Sequence, residues 1–351
     1  MSIPVNRRVT VGGINEVALS SGPLPEPRVG EVRVRSTLVG ICGSDLHAAH
    51  GQHPSMPLPY QPGHEAVGVV DALGQEVDGL APGDRVFLEP NLVCWHCRNC
   101  RAGRYNICQE LKVFGCQTPG AMTDHFVVAA NRLHRVPDGM PDEAAVLIEP
   151  LATPVHAVRL AAGVDAMPGI NGLTGKDVVV LGAGPIGLFT LVAAREAGAR
   201  RVIVTDLLPD KRARAARLGA DAVVAADGPD ITGQVRAVLG DTANVVFDCV
   251  AMESSLNQAV SLVEKGGTVV VVGVPSGPLT LPVHLVQDWE ITIRGSLMYT
   301  SEDIAAATTI LQSGRVPINE FITHVLPLNR AQEAFTRADS GTAVKVLVQL
   351  A

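Results

Sequence analysis

Aromatic residues are scarce in this sequence, at 3% of 351 residues, and basic residues do not outnumber acidic ones. With so few aromatic rings, any core must be built from Val, Leu, Ile and Ala. Hydrophobic residues make up 47% of the chain, which is enough for two domains. The formal net charge of −7 argues against a surface that binds nucleic acid. The composition therefore indicates a globular chain of two domains with no nucleic-acid partner.

The sequence also lacks the segments that would place it in a membrane or outside the cell. No charged, apolar and small-residue leader opens the chain, so we expect no secretion. A long, strongly apolar uncharged stretch, residues 178–194, is interrupted by three glycines and one proline. This pattern favours a buried strand, turn and helix over a membrane span. The seven cysteines fit a reducing compartment, and we expect the protein to be cytoplasmic.

Four of the cysteines form a C-x₂-C-x₂-C-x₇-C run, at Cys94, Cys97, Cys100 and Cys108. Four thiolates at this spacing can close a tetrahedron around one Zn²⁺, which leaves no position for a substrate. The alternative is a pair of disulfides, which the short C-x₂-C spacing and the lack of a leader disfavour. The run therefore predicts a closed, structural zinc site in a lobe at about residues 90–110.

A second set of zinc-type ligands does not close. Cys42 supplies a thiolate, His64 an imidazole, and Glu65 or Glu149 a carboxylate. Three protein ligands leave one position for water or an alcohol, and bound water drops in pKa from 15.7 to about 7. An alcohol that behaves similarly would ionise and release hydride readily. Taken singly, the cysteine would more often be a core thiol and the histidine a satisfied core residue. Gly63 before His64 and Glu65 after it, together with the dinucleotide motif further along the chain, instead favour an open metal site.

The remaining cysteines, Cys116 and Cys249, are expected to be buried thiols.

Residues 1–153 are rich in Gly, Pro and short valine runs, and period-2 alternation predicts β-strands at 31–35, 66–70 and 84–87. This half of the sequence therefore predicts a β-rich domain.

From residue 174 the pattern changes to alternating strands and helices. Strands are predicted at 178–181, 202–205, 222–224, 245–248, 268–272 and 291–294. Helices at 186–197 and 209–218 lie between them. Six strands with crossover helices predict a doubly wound parallel sheet over residues 154–295, and the fold class is α/β. The last part, 296–351, has a helix at 301–312 and a strand at 344–350, and is expected to return to the first domain.

Residues 182–187 read GAGPIG between a predicted strand and a predicted helix. Gly182 permits the tight turn, Gly184 lets the backbone approach a pyrophosphate, and Gly187 lets helix and strand pack closely. Asp206 ends the next predicted strand, where its carboxylate can bind the ribose hydroxyls and repel a 2′-phosphate. The pattern favours NAD over NADP. The alternative for Asp206 is an aspartate that caps the following segment.

These motifs together resemble the zinc-dependent medium-chain dehydrogenases. The resemblance rests on GICGSDLH at 40–47, GHE at 63–65, the four-cysteine lobe, EPL at 149–151 and the glycine motif, in order along nearly the whole chain. The sorbitol (L-iditol) and other polyol dehydrogenases are the most similar members, particularly over 202–221. The family implies a GroES-like catalytic domain beside a Rossmann domain, and a homotetramer or homodimer.

The resemblance also implies roles for individual residues. Asp45 would orient His64, and Ser44 would pass the alcohol proton through the nicotinamide ribose to His47 near the surface. The cofactor would be NAD, held by Gly182, Gly184, Pro185, Ile186, Gly187, Asp206 and Lys211. The metals would be two zinc ions per chain, one structural and one catalytic, the latter held by Cys42 and His64 with Glu65 or Glu149. The substrate would be a small alcohol in contact with Phe114, Thr118 and Tyr299.

One departure from the polyol enzymes affects the substrate. Their Arg-Tyr pair reads Met298-Tyr299 here, so a hydrogen-bond donor to a distal hydroxyl is lost. The pocket is therefore expected to prefer a shorter or less polar secondary alcohol than a long polyol. The alternatives are L-threonine 3-dehydrogenase or 2,3-butanediol dehydrogenase activity. A zinc-free reductase of the same fold would lack these ligands, and a non-enzymatic scaffold would not need Ser44, His47 and Glu149.

Overall fold

The computed structural model describes residues 5–163, 172–228 and 230–350. The chain divides into two compact units, which we call unit 1 (Met1–Glu149 with Phe321–Ala351) and unit 2 (Pro150–Glu320). The sequence predicted domain limits after residues 153 and 295, whereas the units divide after Glu149 and after Glu320. The C-terminal segment from Phe321 onward returns to unit 1, and the helix predicted at 301–312 lies in unit 2.

The strands and helices of the described residues are numbered in chain order. The strands are β1 (Val5–Gly13), β2 (Glu16–Pro23), β3 (Glu31–Ile41), β4 (Glu65–Leu73), β5 (Arg85–Leu88), β6 (Asn91–Leu92), β7 (Lys112–Val113), β8 (His125–Ala129), β9 (Leu133–Arg135), β10 (Asp177–Leu181), β11 (Arg201–Asp206), β12 (Ala222–Ala225), β13 (Ala243–Asp248), β14 (Val263–Val271), β15 (Thr292–Gly295), β16 (Ile322–Pro327) and β17 (Lys345–Gln349). The α-helices are α1 (Gly43–Ala49), α2 (Arg98–Arg101), α3 (Asp142–Ala145), α4 (Ile148–Ala162), α5 (Pro185–Glu196), α6 (Pro209–Arg217), α7 (Ile231–Leu239), α8 (Glu253–Leu262), α9 (Val283–Asp288), α10 (Ser301–Gln312) and α11 (Ala331–Ala338).

Unit 1 is built on a sheet in which β16, β17, β3, β4, β5 and β9 lie side by side in that order, with β8 also paired to β3. In β3, Val32, Val34 and Ser36 are buried while the residues between them are only partly buried. This is the alternation that period-2 patterning predicts. Because β17 pairs antiparallel with β3, Val346 lies opposite Ile41. The C-terminal strand therefore runs beside the end of β3, just before Cys42.

Unit 2 holds a six-stranded parallel sheet in the order β12-β11-β10-β13-β14-β15. The residues of β10 are all buried, as expected for a central strand covered by helices on both faces. The predicted fold class, a β-rich domain with a doubly wound parallel sheet, is confirmed. Most predicted strands match within two residues, but β14 begins at Val263, five residues before its predicted start.

Helix limits in unit 2 follow the local sequence. Pro209 occupies the first turn of α6, and Gly219 follows that helix with φ of +93°, a conformation that glycine adopts without strain. One helical stretch of the described residues, Asp142–Ala162, could cross a membrane by length and composition, but 83% of its most apolar window is buried. Such burial is typical of a core helix.

Candidate metal centre and dinucleotide site

The four cysteines of the predicted lobe come together in unit 1. Their sulfur atoms all lie within 4.8 Å of one another, and the protein's seven cysteines are all free of disulfides. The Sγ atoms of Cys108 and Cys94 are 3.5 Å apart, and Cys97 precedes the short helix α2. The backbone N–H of Cys100 points at the Cys97 sulfur, and chiefly this donor lowers the pKa of Cys97 to about 6. Burial and the neighbouring thiols raise the pKa of Cys100 to about 12. The four sulfur atoms lie close enough together to bind one tetrahedral metal ion.

The open ligand set also assembles in unit 1, where two neighbouring strands end. The ligand atoms of Cys42, His64 and Glu65 lie within 4.8 Å of one another. Cys42 follows β3, Glu65 begins β4, and Gly40 pairs with Glu65 across the two strands. A Cβ atom on Gly40 would lie 2.0 Å from Oε2 of Glu65, so only glycine leaves room for this carboxylate. The sheet register thus brings the two sequence motifs to one point.

Glu149, the other candidate carboxylate, is buried at the start of α4 but is not in the group of mutually close ligand atoms. Its negative charge nevertheless acts on Lys345, which therefore lies near both carboxylates. The structure thus places Glu65 nearer than Glu149 to the other two ligands, Cys42 and His64.

Glu65 makes an ion pair that the sequence analysis did not identify. Lys345 Nζ lies 2.6 Å from Glu65 Oε1, and the two side chains are only 2% and 1% exposed. Burial would lower the pKa of Lys345, but the negative charges of Glu65, Cys42 and Glu149 outweigh burial and raise it. The signal in the sequence was a lysine within the mostly apolar strand 344–350.

One atom of the open site supports metal binding directly. Oε2 of Glu65 is buried and has no hydrogen-bond partner among the described residues. An unpaired carboxylate oxygen costs free energy in the protein interior, and a cation beside it removes that cost. The residues present therefore fit a bound zinc ion.

Asp45 supports both ligands of the open site. Its Oδ2 accepts the backbone N–H of Cys42 at 3.0 Å, and its Oδ1 lies 3.9 Å from Nδ1 of His64. The Cys116 sulfur, buried as expected, is also 3.9 Å from that nitrogen. Burial would lower the pKa of His64, but Asp45, Cys116 and Cys42 together raise it well above its usual value. Burial raises the pKa of Asp45 and of Cys116 in turn, so the imidazole has two acidic groups within 4 Å of its Nδ1 that share its proton.

The residues of the predicted proton path lie on α1. Ser44 is half-buried in its first turn, and His47 is exposed in its last turn. A histidine near these residues was not identified from the sequence. His53 is half-buried, accepts the Ser55 N–H at 3.1 Å, and has a pKa lowered chiefly by burial and also by the charges of His47 and His64.

The predicted substrate residues are divided between the units. In unit 1, Phe114 packs into the core with its ring centroid 5.5 Å from that of Phe126. Thr118 forms an isolated β-bridge with Phe114. The Thr118 hydroxyl is buried without a hydrogen-bond partner among the described residues. Tyr299 lies in unit 2 and is fully buried. Their contact with substrate stays a prediction.

In unit 2 the glycine motif has the geometry of a dinucleotide loop. Gly182 has φ of +92°, and Pro185 begins α5. A Cβ on Gly187 would lie 1.9 Å from the carbonyl oxygen of Gly182, whereas a Cβ on Gly184 would meet no atom within 4 Å. Gly187 is thus required by the chain itself, while Gly184 faces open space. The free N–H groups of the α5 N-terminus favour an anion there.

Asp206 ends β11 and supports the same loop. Its carboxylate accepts the N–H of Ala183 at 2.7 Å and that of Leu208 at 2.8 Å. The capping alternative is therefore seen in this structure, and each oxygen retains a second lone pair for a ribose hydroxyl. Lys211 is half-buried in α6, and the neighbouring Arg212 donates to the Asp206 and Leu207 carbonyls.

Comparison with known proteins shows the family to which the chain belongs. Family models match at residues 28–138, for the alcohol dehydrogenase GroES-like domain, and at 185–313, for zinc-binding dehydrogenases. The chain is 35% identical to sorbitol dehydrogenase of Bos taurus over 99% of this chain and 96% of that protein.

Solved structures of two bacterial proteins are equally similar in fold. A short chain alcohol dehydrogenase from E. coli CFT073, complexed with NADH, matches with a TM-score of 0.89 and 28% identity over 99% of both chains. A zinc-binding dehydrogenase from Sinorhizobium meliloti, bound to NADP, has the same TM-score of 0.89 with 30% identity over 99% of both. Both nucleotides therefore occur among proteins similar to this chain.

Proposed function

Because the chain belongs to the zinc-dependent medium-chain alcohol dehydrogenases, we propose that it oxidises a polyol or related secondary alcohol to the ketone with NAD. The observation that carries this proposal is the open ligand set of Cys42, His64 and Glu65 beside a separate, closed set of four cysteines. In the reaction the carbinol C–H bond breaks, hydride passes to the nicotinamide ring of NAD, and the hydroxyl proton leaves to solvent.

The proposed metal content is two zinc ions per chain. Cys94, Cys97, Cys100 and Cys108 would hold the structural ion, and Cys42, His64 and Glu65 the catalytic one. When bound there, zinc would act as a Lewis acid and make the hydroxyl proton of an alcohol easier to lose. The unpaired oxygen of Glu65 and the close approach of the Cys42, His64 and Glu65 ligand atoms support this assignment.

The proton leaves through residues of α1 in this proposal. Ser44 would take the hydroxyl proton and pass on its own, and His47, exposed to solvent, would be the last acceptor before solvent. Histidine suits this step because its ordinary pKa lies near neutrality.

NAD is the proposed cofactor, with its pyrophosphate at Gly184 and the α5 N-terminus and its adenosine ribose at Asp206, near Lys211. The negative charge of Asp206 would repel the 2′-phosphate of NADP. Support comes from the open space at Gly184 and from the position of Asp206 at the end of β11.

The substrate class follows from Met298, which stands before Tyr299 where the polyol enzymes have arginine. Without that donor the pocket favours a shorter or less polar alcohol, so a vicinal diol is a second candidate beside sorbitol-like polyols. A homotetramer or homodimer is also proposed, and light scattering of the purified protein distinguishes them.

A screen of polyols, vicinal diols, 3-hydroxy amino acids and sugars for NADH formation tests the proposal. We expect turnover with at least one secondary alcohol, and none with Cys42→Ala as the matched inactive control. No turnover of any alcohol by protein that holds two zinc ions would contradict it. If L-threonine were the preferred substrate, the substrate class would be the 3-hydroxy amino acids, and the proposed hydride transfer to NAD would be unchanged.

A further inference from the structure

Lys345 lies in the open site although its strand is far away in the sequence. Its Nζ atom contacts Oε1 of Glu65 at 2.6 Å and the carbonyl oxygen of Ile41 at 3.4 Å. The pairing of β17 with the end of β3 carries it there, and its side chain is 2% exposed. A buried ammonium held this tightly is a fixed charge of the site.

The two oxygens of Glu65 are used differently. Oε1 is held by Lys345, while Oε2 lies over Gly40 without a hydrogen-bond partner among the described residues. The ligand atoms of Cys42 and His64 are within 4.8 Å of a Glu65 carboxylate oxygen.

We infer that Lys345 is a positioning residue. Its ammonium group binds one oxygen of Glu65 and leaves the other to bind the catalytic zinc, and it thereby weakens the bond between Glu65 and the metal. This inference rests on the proposed zinc at Cys42, His64 and Glu65. The lysine and the zinc would be two cations on one carboxylate, and two cations this close repel each other inside a protein.

This competition has opposite effects on the metal-free and the zinc-loaded protein. Without metal, Lys345 is the ion-pair partner of Glu65, so its loss leaves this buried carboxylate without a salt bridge. With zinc bound, the metal compensates the same charge, and loss of the lysine removes a repulsion. The lysine therefore stabilises the metal-free fold and keeps the zinc ligand exchangeable.

The test uses full-length wild type, Lys345→Met and Lys345→Arg. Zinc transfer to a coloured chelator and thermal unfolding with and without zinc are measured. We expect Lys345→Met to lose its open-site zinc roughly tenfold or more slowly than wild type. Its melting temperature should fall in metal-free protein and recover on zinc loading. Lys345→Arg, which keeps the charge, should resemble wild type in both measurements.

Arg33→Met is the matched control. Arg33 is also a mostly buried cation of this sheet, its Nε lies 2.6 Å from Oδ2 of Asp71, and neither residue is one of the proposed zinc ligands. Its destabilisation should be the same with and without zinc.

A double-mutant cycle measures how Lys345→Met changes the rate of zinc loss in wild type and in Glu65→Gln. A smaller effect on zinc loss in Glu65→Gln supports action through the carboxylate, and an equal effect overturns it.

Equal or faster zinc loss from Lys345→Met would also overturn the inference. So would failure of this variant to fold in zinc-supplemented medium where Arg33→Met folds, because zinc should replace the lysine as counter-charge. If wild type holds only one zinc per chain, the proposed function fails instead, and the zinc count separates the two outcomes.

Discussion

Cys42 and Cys100 have the same side chain in different surroundings. Cys42 is half-buried beside one imidazole and one carboxylate, and Cys100 is buried among three other sulfurs. We expect Cys42→Ala to lose one zinc and all dehydrogenase activity while its melting temperature stays near wild type. Cys100→Ala should lose the other zinc and destabilise the lobe by several kcal/mol, since structural zinc contributes folding free energy.

Metal analysis and thermal unfolding of both variants check this pair. Wild-type protein with a single zinc per chain, or loss of the same zinc from both variants, would refute the division into two sites.

At Asp206 the expected change concerns nucleotide choice. Asp206→Ser removes the ribose acceptor and the repulsion of a phosphate, so the ratio of kcat/KM for NAD to that for NADP should fall. Because Asp206 also holds the N–H groups of Ala183 and Leu208, Asp206→Asn serves as control. Its single amide oxygen keeps one of these two acceptors, and the substitution removes the charge. Equal wild-type efficiency with both nucleotides would disprove the ribose argument.

At His47 the expected effect depends on pH. His47→Ala should slow alcohol oxidation by at most roughly 10²-fold, and most below neutral pH, where solvent is a poor proton acceptor. Zinc content should not change. His50→Ala is the matched control, because His50 lies one turn further and pairs with Asp339 at 3.2 Å. An equal loss of activity in both variants, or no loss of activity at any pH, would show that His47 does not end a proton relay.

The strand–turn–helix of β10 and α5 offers a prediction for a whole element. Gly187→Ala places a Cβ 1.9 Å from the Gly182 carbonyl oxygen, so the helix must move and the melting temperature should fall. Gly184→Ala meets no atom of the chain within 4 Å and should melt near wild type. It should nevertheless weaken NADH binding, measured by fluorescence titration, because the methyl group occupies the space for the pyrophosphate. Normal NADH binding by Gly184→Ala would place the cofactor elsewhere.

Elements with strong local patterns were predictable from the sequence. The apolar run 178–181 matches a buried central strand, and the helix at 301–312 was predicted at its observed limits because its turn residues and apolar spacing agree. The hairpin of β1 and β2 was not predicted, since β2 is mostly exposed and carries little apolar periodicity.

The candidate site was predictable only where its ligands are local motifs. Cys42, His64 and the four cysteines stand in recognisable spacings. Lys345 was missed because its place depends on sheet order: Val346, near the C-terminus, pairs with Ile41, near the other end of the chain. No local pattern carries information about a partner that distant.

Acid stability belongs to the scale of the whole molecule, where buried carboxylates held by arginines matter most. Burial would raise the pKa of Asp177, but Arg200 and Arg201 outweigh burial and lower it from 3.8 to about 2. Their Nε atoms lie 2.9 and 3.0 Å from Oδ1. A lowered folded-state pKa gives stability that is present above the unfolded value and lost as pH falls.

We therefore expect Asp177→Asn to be about 2 kcal/mol less stable than wild type at pH 7. The difference should shrink to about half by pH 3, because the wild-type contribution is lost between about pH 4 and pH 2. Urea unfolding of both proteins across this range measures it. A difference that stays constant down to pH 2 would show that packing, not charge, explains the loss.

The position of β17 next to β3 has a consequence for biosynthesis. A ribosome that makes about 5–20 residues per second needs roughly 15–60 s to extend the chain from Ile41 to Val346. During that time one edge of β3, with the apolar residues Leu38, Val39 and Ile41, has no neighbouring strand from β17. While unit 2 is synthesised, the nascent chain thus carries a strand with one unpaired, aggregation-prone edge. Such an edge is a target for chaperones.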